Sequence, residues 1–363
     1  MRLLKILFLL ALIGGTAWIL IDANTAPYRK MEGKIFGTYY HITYQSSTDY
    51  DSEILDRLNQ VDASLSAFNP QSTVSNINRN EAVKADQMFS DVFDLAMQVS
   101  EATGGAFDIT VAPLVNLWGF GFKHSDDVTQ ARIDSIMPFV GYGKIKKLKN
   151  GRIEKEDVRI MLDFSAIAKG YGCDQAAAVL HKHGIDNYLV EIGGEICARG
   201  LNPDKQPWTI GITKPDTAQT QQLQATLNGQ SSMVNPEGVA SGSSVVGKAG
   251  SDIKELRERS GNGQLAMATS GNYRNYYIKD GKRYAHTIDP HTGRPVQHSL
   301  LSATVIAPTC AMADAYATAF MVMGLDKAKA ILADNNRLKA YLIYTDSNNN
   351  MQEWHSPTLK INP

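Results

Sequence analysis

Two hydrophobic periods succeed one another in blocks along this chain, and that succession limits the folds open to it. Apolar residues recur at helical spacing in Ile54, Leu55, Leu58, Val61 and Leu65. They recur again in Phe89, Val92, Leu95, Ala96 and Val99, where Gly104-Gly105 ends the second helix. Strand-like alternation runs from Lys34 to Gln45 with an interruption at Gly37. It returns in Ile160 to Phe164, in Tyr188 to Ile192, which Gly193-Gly194 breaks before it resumes to Ala198, and in Trp208 to Thr213. Further strands are expected around Leu265 to Thr269, Tyr273 to Lys279 and Leu301 to Ala307. Helices are expected from about Lys169 through His181, from near Ala311 and from near Asp326. Long helices mixed with consecutive strands point to the α+β class.

The N-terminus is of another kind. Arg2 and Lys5 precede an almost unbroken apolar run, Ile6 to Ile21, which Asp22 ends. The run is short for a membrane span and long for the core of a signal peptide, so it reads as an export signal or a signal anchor. With the basic residues held inside, the rest of the chain would lie outside the cytoplasm. No cysteine stands near residue 20, which argues against lipidation, and no small-residue cleavage site stands out, which favours a retained anchor. From about Pro215 to Gly263 the chain turns rich in Gln, Ser, Gly and Asn and reads as a flexible insertion on a folded domain.

Charge narrows the function classes. With 36 basic and 37 acidic residues the net charge is -1, so no global basic field argues for nucleic acid. Any anionic ligand must be held locally. Cys173, Cys197 and Cys310 are too few and too irregularly spaced for a disulfide framework or a thiolate metal site, and read as small buried apolar residues.

Four segments could carry chemistry. In APTCAMADAYATAFMVMG, Asp314 and Thr318 are four apart and project side by side from a helix as hard oxygen donors; a dipole-favoured aspartate and a back-bonded threonine are the plain alternative. In LDFSAIAKGYGCD, Asp163 ends a strand and Gly170 leads into a helix whose N–H groups, with Lys169, would favour an anion; an ordinary strand-to-helix turn is equally open. In TGGAFDITVAPLVNLWGFG, Phe107 and Trp118 could cover a planar ring and Asp108 accept from its edge, or the rings could be core and the aspartate a cap. In EIGGEICARG, Gly193-Gly194 permits close backbone approach or forms a bulge. A fifth segment, RYAHTIDPHTGRPV, gathers His286, His291 and two turn-forming pairs. An anion cradle, hard oxygen ligands, an aromatic wall and a histidine together describe a phosphorylated aromatic ligand.

These segments, with FGTYYHI, LSAFNPQSTVSNIN, NYLVEIGGEICARG, ATSGNY and HTIDPHTGRP, resemble in content and order the blocks of the FAD:protein FMN transferases, the ApbE family, from about Gly33 to Tyr344. The resemblance implies an α+β fold related to the tunnelling fold, with mixed sheets flanked by helices. It implies FAD as donor, Mg²⁺, and transfer of FMN to a threonine or serine hydroxyl of another protein with release of AMP. By motif match the metal ligands would be Asp314, Thr318 and the carbonyl of Ala166. Contacts to FAD would come from Phe36, Phe68, Ala106, Phe107, Asp108, Asp163, Lys169, His286 and Thr287. Phe36 stands where the family often has Met, and the 215–263 insertion is longer than is usual there.

His286 is the residue best suited by type to accept the proton of the attacking hydroxyl, with an aspartate near the metal, such as Asp314, the other choice. His291 and His298 read as surface residues. The organisation expected is a signal anchor or signal peptide at 1–26 and one catalytic domain at 30–363. The domain would sit on the periplasmic or extracytoplasmic side of the inner (cytoplasmic) membrane, with exported or membrane-anchored flavoproteins, such as electron-transport subunits, as acceptors. Two rival activities remain open: FAD pyrophosphatase giving FMN and AMP, and flavin binding without chemistry.

Overall fold

The structure is a computed structural model that describes residues 26–120, 128–213, 215, 223–228, 263–272, 276–279 and 282–362. The apolar terminal run and most of the expected insertion lie outside the described residues.

An eight-stranded sheet forms the centre, in the spatial order Tyr28–Ile35, Thr38–Gln45, Tyr188–Ile192, Glu195–Arg199, Gln264–Gly271, Leu300–Ile306, Lys339–Thr345 and Met351–His355. Spatial order repeats chain order, and each excursion returns the chain to the end of the sheet it left. Every neighbouring pair is therefore antiparallel, and the α+β class holds with antiparallel rather than mixed sheets.

The longest excursion, between Gln45 and Tyr188, carries the helices Asp51–Leu65, Gln87–Ala102 and Ala168–Lys182. A second carries Cys310–Met323 and Leu325–Asp334. The Ala168–Lys182 helix packs on Tyr188–Arg199 and on the Cys310–Met323 helix, which covers Gln264–Gly271 and Leu300–Ile306. The strand Gln264–Gly271 shows why. Ala266 and Ala268 face the helices, where a small side chain lets a helix axis come close, while Leu265 and Met267 face the opposite core. That opposite core is closed by a three-stranded sheet of Thr209–Thr213, Leu223–Asn228 and Ile361–Asn362.

Two expectations are corrected. Leu223–Asn228 falls within the expected insertion, yet it is a strand paired with Thr209–Thr213, with Ala225 and Leu227 buried. Ile160 to Phe164 is not a strand, although Ile160, Leu162 and Phe164 are fully buried. Its backbone bonds to a side chain instead: Leu162 N donates to Asn78 Oδ1 (2.7 Å) and Asn78 Nδ2 to the Leu162 carbonyl (2.9 Å). Alternating burial reports a buried face, and a ladder partner is a separate matter.

Candidate active site

The site forms where the Ala168–Lys182 and Cys310–Met323 helices cross. Gly170 sets their separation, because a Cβ there would lie 2.3 Å from the Cys310 carbonyl oxygen. The first turn of the Cys310–Met323 helix is capped from both sides. Asp174 accepts from Cys310 N and Ala311 N, both at 2.9 Å, and Thr309 Oγ1 accepts from Met312 N at 3.2 Å. Burial pushes the Asp174 carboxyl up to about 8, against the pull of these N–H donors. Cys173, Cys197 and Cys310 are buried free thiols beside it, as their residue type suggests.

The close crossing delivers Asp314 to the start of the neighbouring helix. Its Oδ2 accepts from Gly170 N at 3.1 Å, and its Oδ1 lies 3.7 Å from Lys169 Nζ. Lys169 Nζ is closer still to Glu195 Oε1, at 2.6 Å. The Asp314 and Glu195 side chains are 2% and 3% exposed, whereas Lys169 retains 29%. Burial raises the Asp314 and Glu195 carboxyls above the usual carboxylate range, and the Lys169 charge works against both shifts. Burial would lower the Lys169 ammonium, but the two carboxylates outweigh it and hold it above the usual lysine value. At the helix start read from LDFSAIAKG, the Gly170 N–H thus donates to the protein's own Asp314 carboxylate.

These residues fit a hard divalent cation on three counts. From Cys310 to Met321, Thr318 is the only residue of its helix not buried, one turn beyond Asp314 on the same face. Its Oγ1 lies 3.2 Å from Ser270 Oγ, so a second hydroxyl adjoins it. In a regular helix the Gly170 N–H would return to the carbonyl of Ala166; by turning to Asp314 instead it leaves that carbonyl outside the helix ladder. A carboxylate, a hydroxyl and a free backbone carbonyl suit Mg²⁺ and not a soft metal. Among the described residues there is no cluster of three His, Cys, Asp or Glu able to hold a metal.

The other expected contacts occupy the following places. Phe68, 68% exposed, and Asp163 line one cavity of about 240 Å³ with Asn78, Arg79 and Met161. Asp163 is shaped by its own turn, its Oδ1 accepting from Ser165 N (2.8 Å) and Ser165 Oγ (2.5 Å). Phe36 occupies the tight turn between the first two strands at φ 51°, its ring against the bare backbone of Gly172. Ala106 and Phe107 are buried, Phe107 in the largest core and Trp118 in a separate cluster, so the two rings do not form one wall. Asp108 is buried and braces a loop: Oδ1 accepts from Thr110 N (2.7 Å) and Thr110 Oγ1 (2.6 Å), and Oδ2 from Tyr142 N (2.8 Å). Burial raises its carboxyl above the usual range.

His286 lies half-buried, its ring edge-on to Phe120 with centroids 6.4 Å apart. The turn that follows is pinned by Trp118 Nε1, which donates to the Gly293 carbonyl at 2.7 Å. His291 is exposed as expected, yet its Nε2 lies 2.9 Å from the Gly104 carbonyl and ties that turn to the Gly104-Gly105 loop. His298 is exposed as expected too, and its ring is held in place: Nε2 donates to the Met321 carbonyl (2.9 Å) and Nδ1 accepts from Leu300 N (3.2 Å). Burial lowers its imidazole, in keeping with that neutral tautomer.

Sequence reasoning passed over Glu195, Asp174, Ser270 and Asn272. Asn272 Oδ1 accepts from Thr287 Oγ1 at 2.6 Å, so the end of one strand touches Thr318 through Ser270 and the His286-Thr287 segment through Asn272. The block ATSGNY held that signal, as EIGGEICARG held Glu195, but neither residue's partner is close in sequence.

Known proteins resemble this chain over most of its length. The model of the ApbE family matches residues 36–244 and 248–342. An FAD:protein FMN transferase of Haemophilus influenzae is 35% identical over 88% of this chain and 87% of its own. One of Escherichia coli K12 is 32% identical over 91% and 88%. The solved flavin transferase ApbE from Vibrio cholerae superposes with a TM-score of 0.75 at 31% identity, covering 92% of this chain and 98% of its own. The apo flavinyl transferase ApbE of Pseudomonas stutzeri superposes at 0.73, with 28% identity and coverage of 92% and 96%. The chain belongs to the ApbE family.

Proposed function

We propose that this chain moves the FMN half of FAD onto a threonine or serine hydroxyl of an exported flavoprotein, in a Mg²⁺-dependent reaction that releases AMP. Transfer of FMN from FAD to a target protein is the activity of the ApbE relatives it matches, and the chain is a transferase of that kind. The observation that carries the metal-dependent reading is the Gly170–Asp314 bond, which takes the Gly170 N–H away from the Ala166 carbonyl and holds the carboxylate one helical turn from Thr318. A divalent cation at Asp314, Thr318 and Ala166 would supply positive charge to a pyrophosphate and to its departing phosphate.

The chain's own groups divide the remaining work. Lys169, a partly exposed cation in an otherwise acidic pocket, presents charge to the phosphates. Phe68 and Asp163 offer an apolar face and an acceptor in one cavity, and Phe36, Ala106, Phe107, Asp108 and Thr287 would supply the further contacts to FAD that the family resemblance implies. In the transfer the acceptor oxygen bonds to the FMN phosphorus as that phosphorus parts from the oxygen carried away by AMP. The hydroxyl proton passes to His286, whose imidazole class titrates near neutrality. The apolar N-terminus supports an anchor in the inner membrane with the domain on its extracytoplasmic side, where exported or membrane-anchored electron-transport subunits would be the acceptors. Protease treatment of spheroplasts tests that address, and full protection of the domain would overturn it.

Activity is tested by incubating the chain with FAD, Mg²⁺ and a candidate acceptor, followed by mass spectrometry. FMN on the acceptor with AMP in solution is the expected result. Free FMN and AMP with an unmodified acceptor would mean hydrolysis, and intact FAD would mean binding alone.

A further inference from the structure

Two buried carboxylates compete for Lys169, and the geometry is unequal. Glu195 Oε1 holds Nζ at 2.6 Å while Asp314 Oδ1 stands off at 3.7 Å. Attraction between charges grows as they approach, so the ammonium belongs first to Glu195. The other Glu195 oxygen, Oε2, is buried with no hydrogen-bond partner among the described residues. A carboxylate left half unsatisfied in a low-dielectric interior is costly, which argues that its position is kept for what it does to Lys169. The local backbone supports this. Glu195 follows the Gly193-Gly194 turn, where a Cβ on Gly193 would lie 2.8 Å from Thr38 Cγ2 and 3.4 Å from Lys169 Cδ. The glycines let the turn close over the lysine stem, and the next side chain takes the ammonium.

We propose that Glu195 is a positioning residue that draws the Lys169 ammonium away from Asp314, keeping Asp314 available to a divalent cation and the ammonium available to a phosphate. The inference rests on the reading of Asp314, Thr318 and Ala166 as cation ligands. An ammonium seated directly on Asp314 would occupy the oxygen the cation needs, and either charge would repel the other. With Glu195 neutralised, Asp314 is the carboxylate that Lys169 already faces, and the lysine closes on it.

Binding of Mn²⁺ to the full chain without FAD, followed by the electron paramagnetic resonance signal of free Mn²⁺, tests this independently of turnover. Glu195→Gln is expected to weaken Mn²⁺ binding by about tenfold or more, since an uncompensated cation then sits at the ligand. Glu195→Asp, which keeps the charge at shorter reach, should fall between. The double variant Glu195→Gln, Lys169→Met should recover wild-type affinity, because the competitor is gone. In turnover, Glu195→Gln should raise the Mg²⁺ concentration needed for half-maximal rate. Circular dichroism checks that each variant is folded; should Glu195→Gln not fold, Glu195→Asp alone and combined with Lys169→Met give the same comparison. Unchanged affinity in Glu195→Gln, or a double variant as weak as the single, would overturn the proposal. A wild-type chain that binds no Mn²⁺ would overturn the ligand reading itself, and this inference with it.

Discussion

Asp314 is a ligand by chemistry and a neighbour of Gly170 by geometry, and its removal separates the two roles. Asp314→Ala is expected to abolish transfer at physiological Mg²⁺ while the chain stays folded, since Lys169 keeps its shorter bond to Glu195. Thr318→Val should cost less, because a neutral hydroxyl attracts a cation less than a carboxylate does. Full activity of Asp314→Ala in chelator-treated buffer would contradict the assignment. At His286 the question is proton transfer against mere support of the flavin. If the imidazole takes the proton, His286→Ala still binds FAD, its saturated rate falls about 10²- to 10⁴-fold, and the acidic limb of the wild-type pH profile disappears. A higher FAD requirement with an unchanged saturated rate and profile would assign it to binding alone.

At the scale of elements, the crossing of the Ala168–Lys182 and Cys310–Met323 helices brings the site together, and Gly170 is its contact point. Gly170→Ala would drive a methyl to 2.3 Å from the Cys310 carbonyl, a backbone atom that cannot yield without moving its helix. A loss of about 3 kcal/mol, the upper end of overpacking costs, is expected in urea unfolding. Gly143→Ala, where a Cβ meets nothing within 4 Å, is the control and should stay within about 0.5 kcal/mol of wild type. Equal stability of the two variants would show that the helices do not need this separation. The helices Asp51–Leu65 and Gln87–Ala102 were legible because their apolar stripes are periodic over several turns. The crossing was not, since LDFSAIAKG and APTCAMADAY meet only through tertiary packing.

The whole molecule concentrates buried acid on one side of its sheet, and this gives stability a pH dependence of definite sign. Burial raises the Asp174 carboxyl to about 8. In the unfolded chain such carboxyls release their protons near about 4, so between that pH and about 8 the folded state binds more protons. Stability of the metal-free protein should therefore fall as pH rises from 5 to 8. Asp174→Asn should flatten that slope. Urea midpoints at the two ends of the range measure it, and a wild-type midpoint that rises with pH would be the contrary result.

The α+β class, the long helices, most strands of the large sheet and the Asp314–Thr318 pair were written in the sequence by itself. Periodicity and i,i+4 spacing are local, and each residue's backbone geometry projects them directly into space. Tertiary structure alone decided that Ile160 to Phe164 bonds to Asn78 and not to a strand, that Phe107 and Trp118 enter different cores, and that Asp174 caps a helix more than a hundred residues away. It alone set Glu195 against Lys169 across the Gly193-Gly194 turn. Such partners are chosen by which buried polar groups must be satisfied once the helices have packed on the sheet, and that demand exists only in the folded chain.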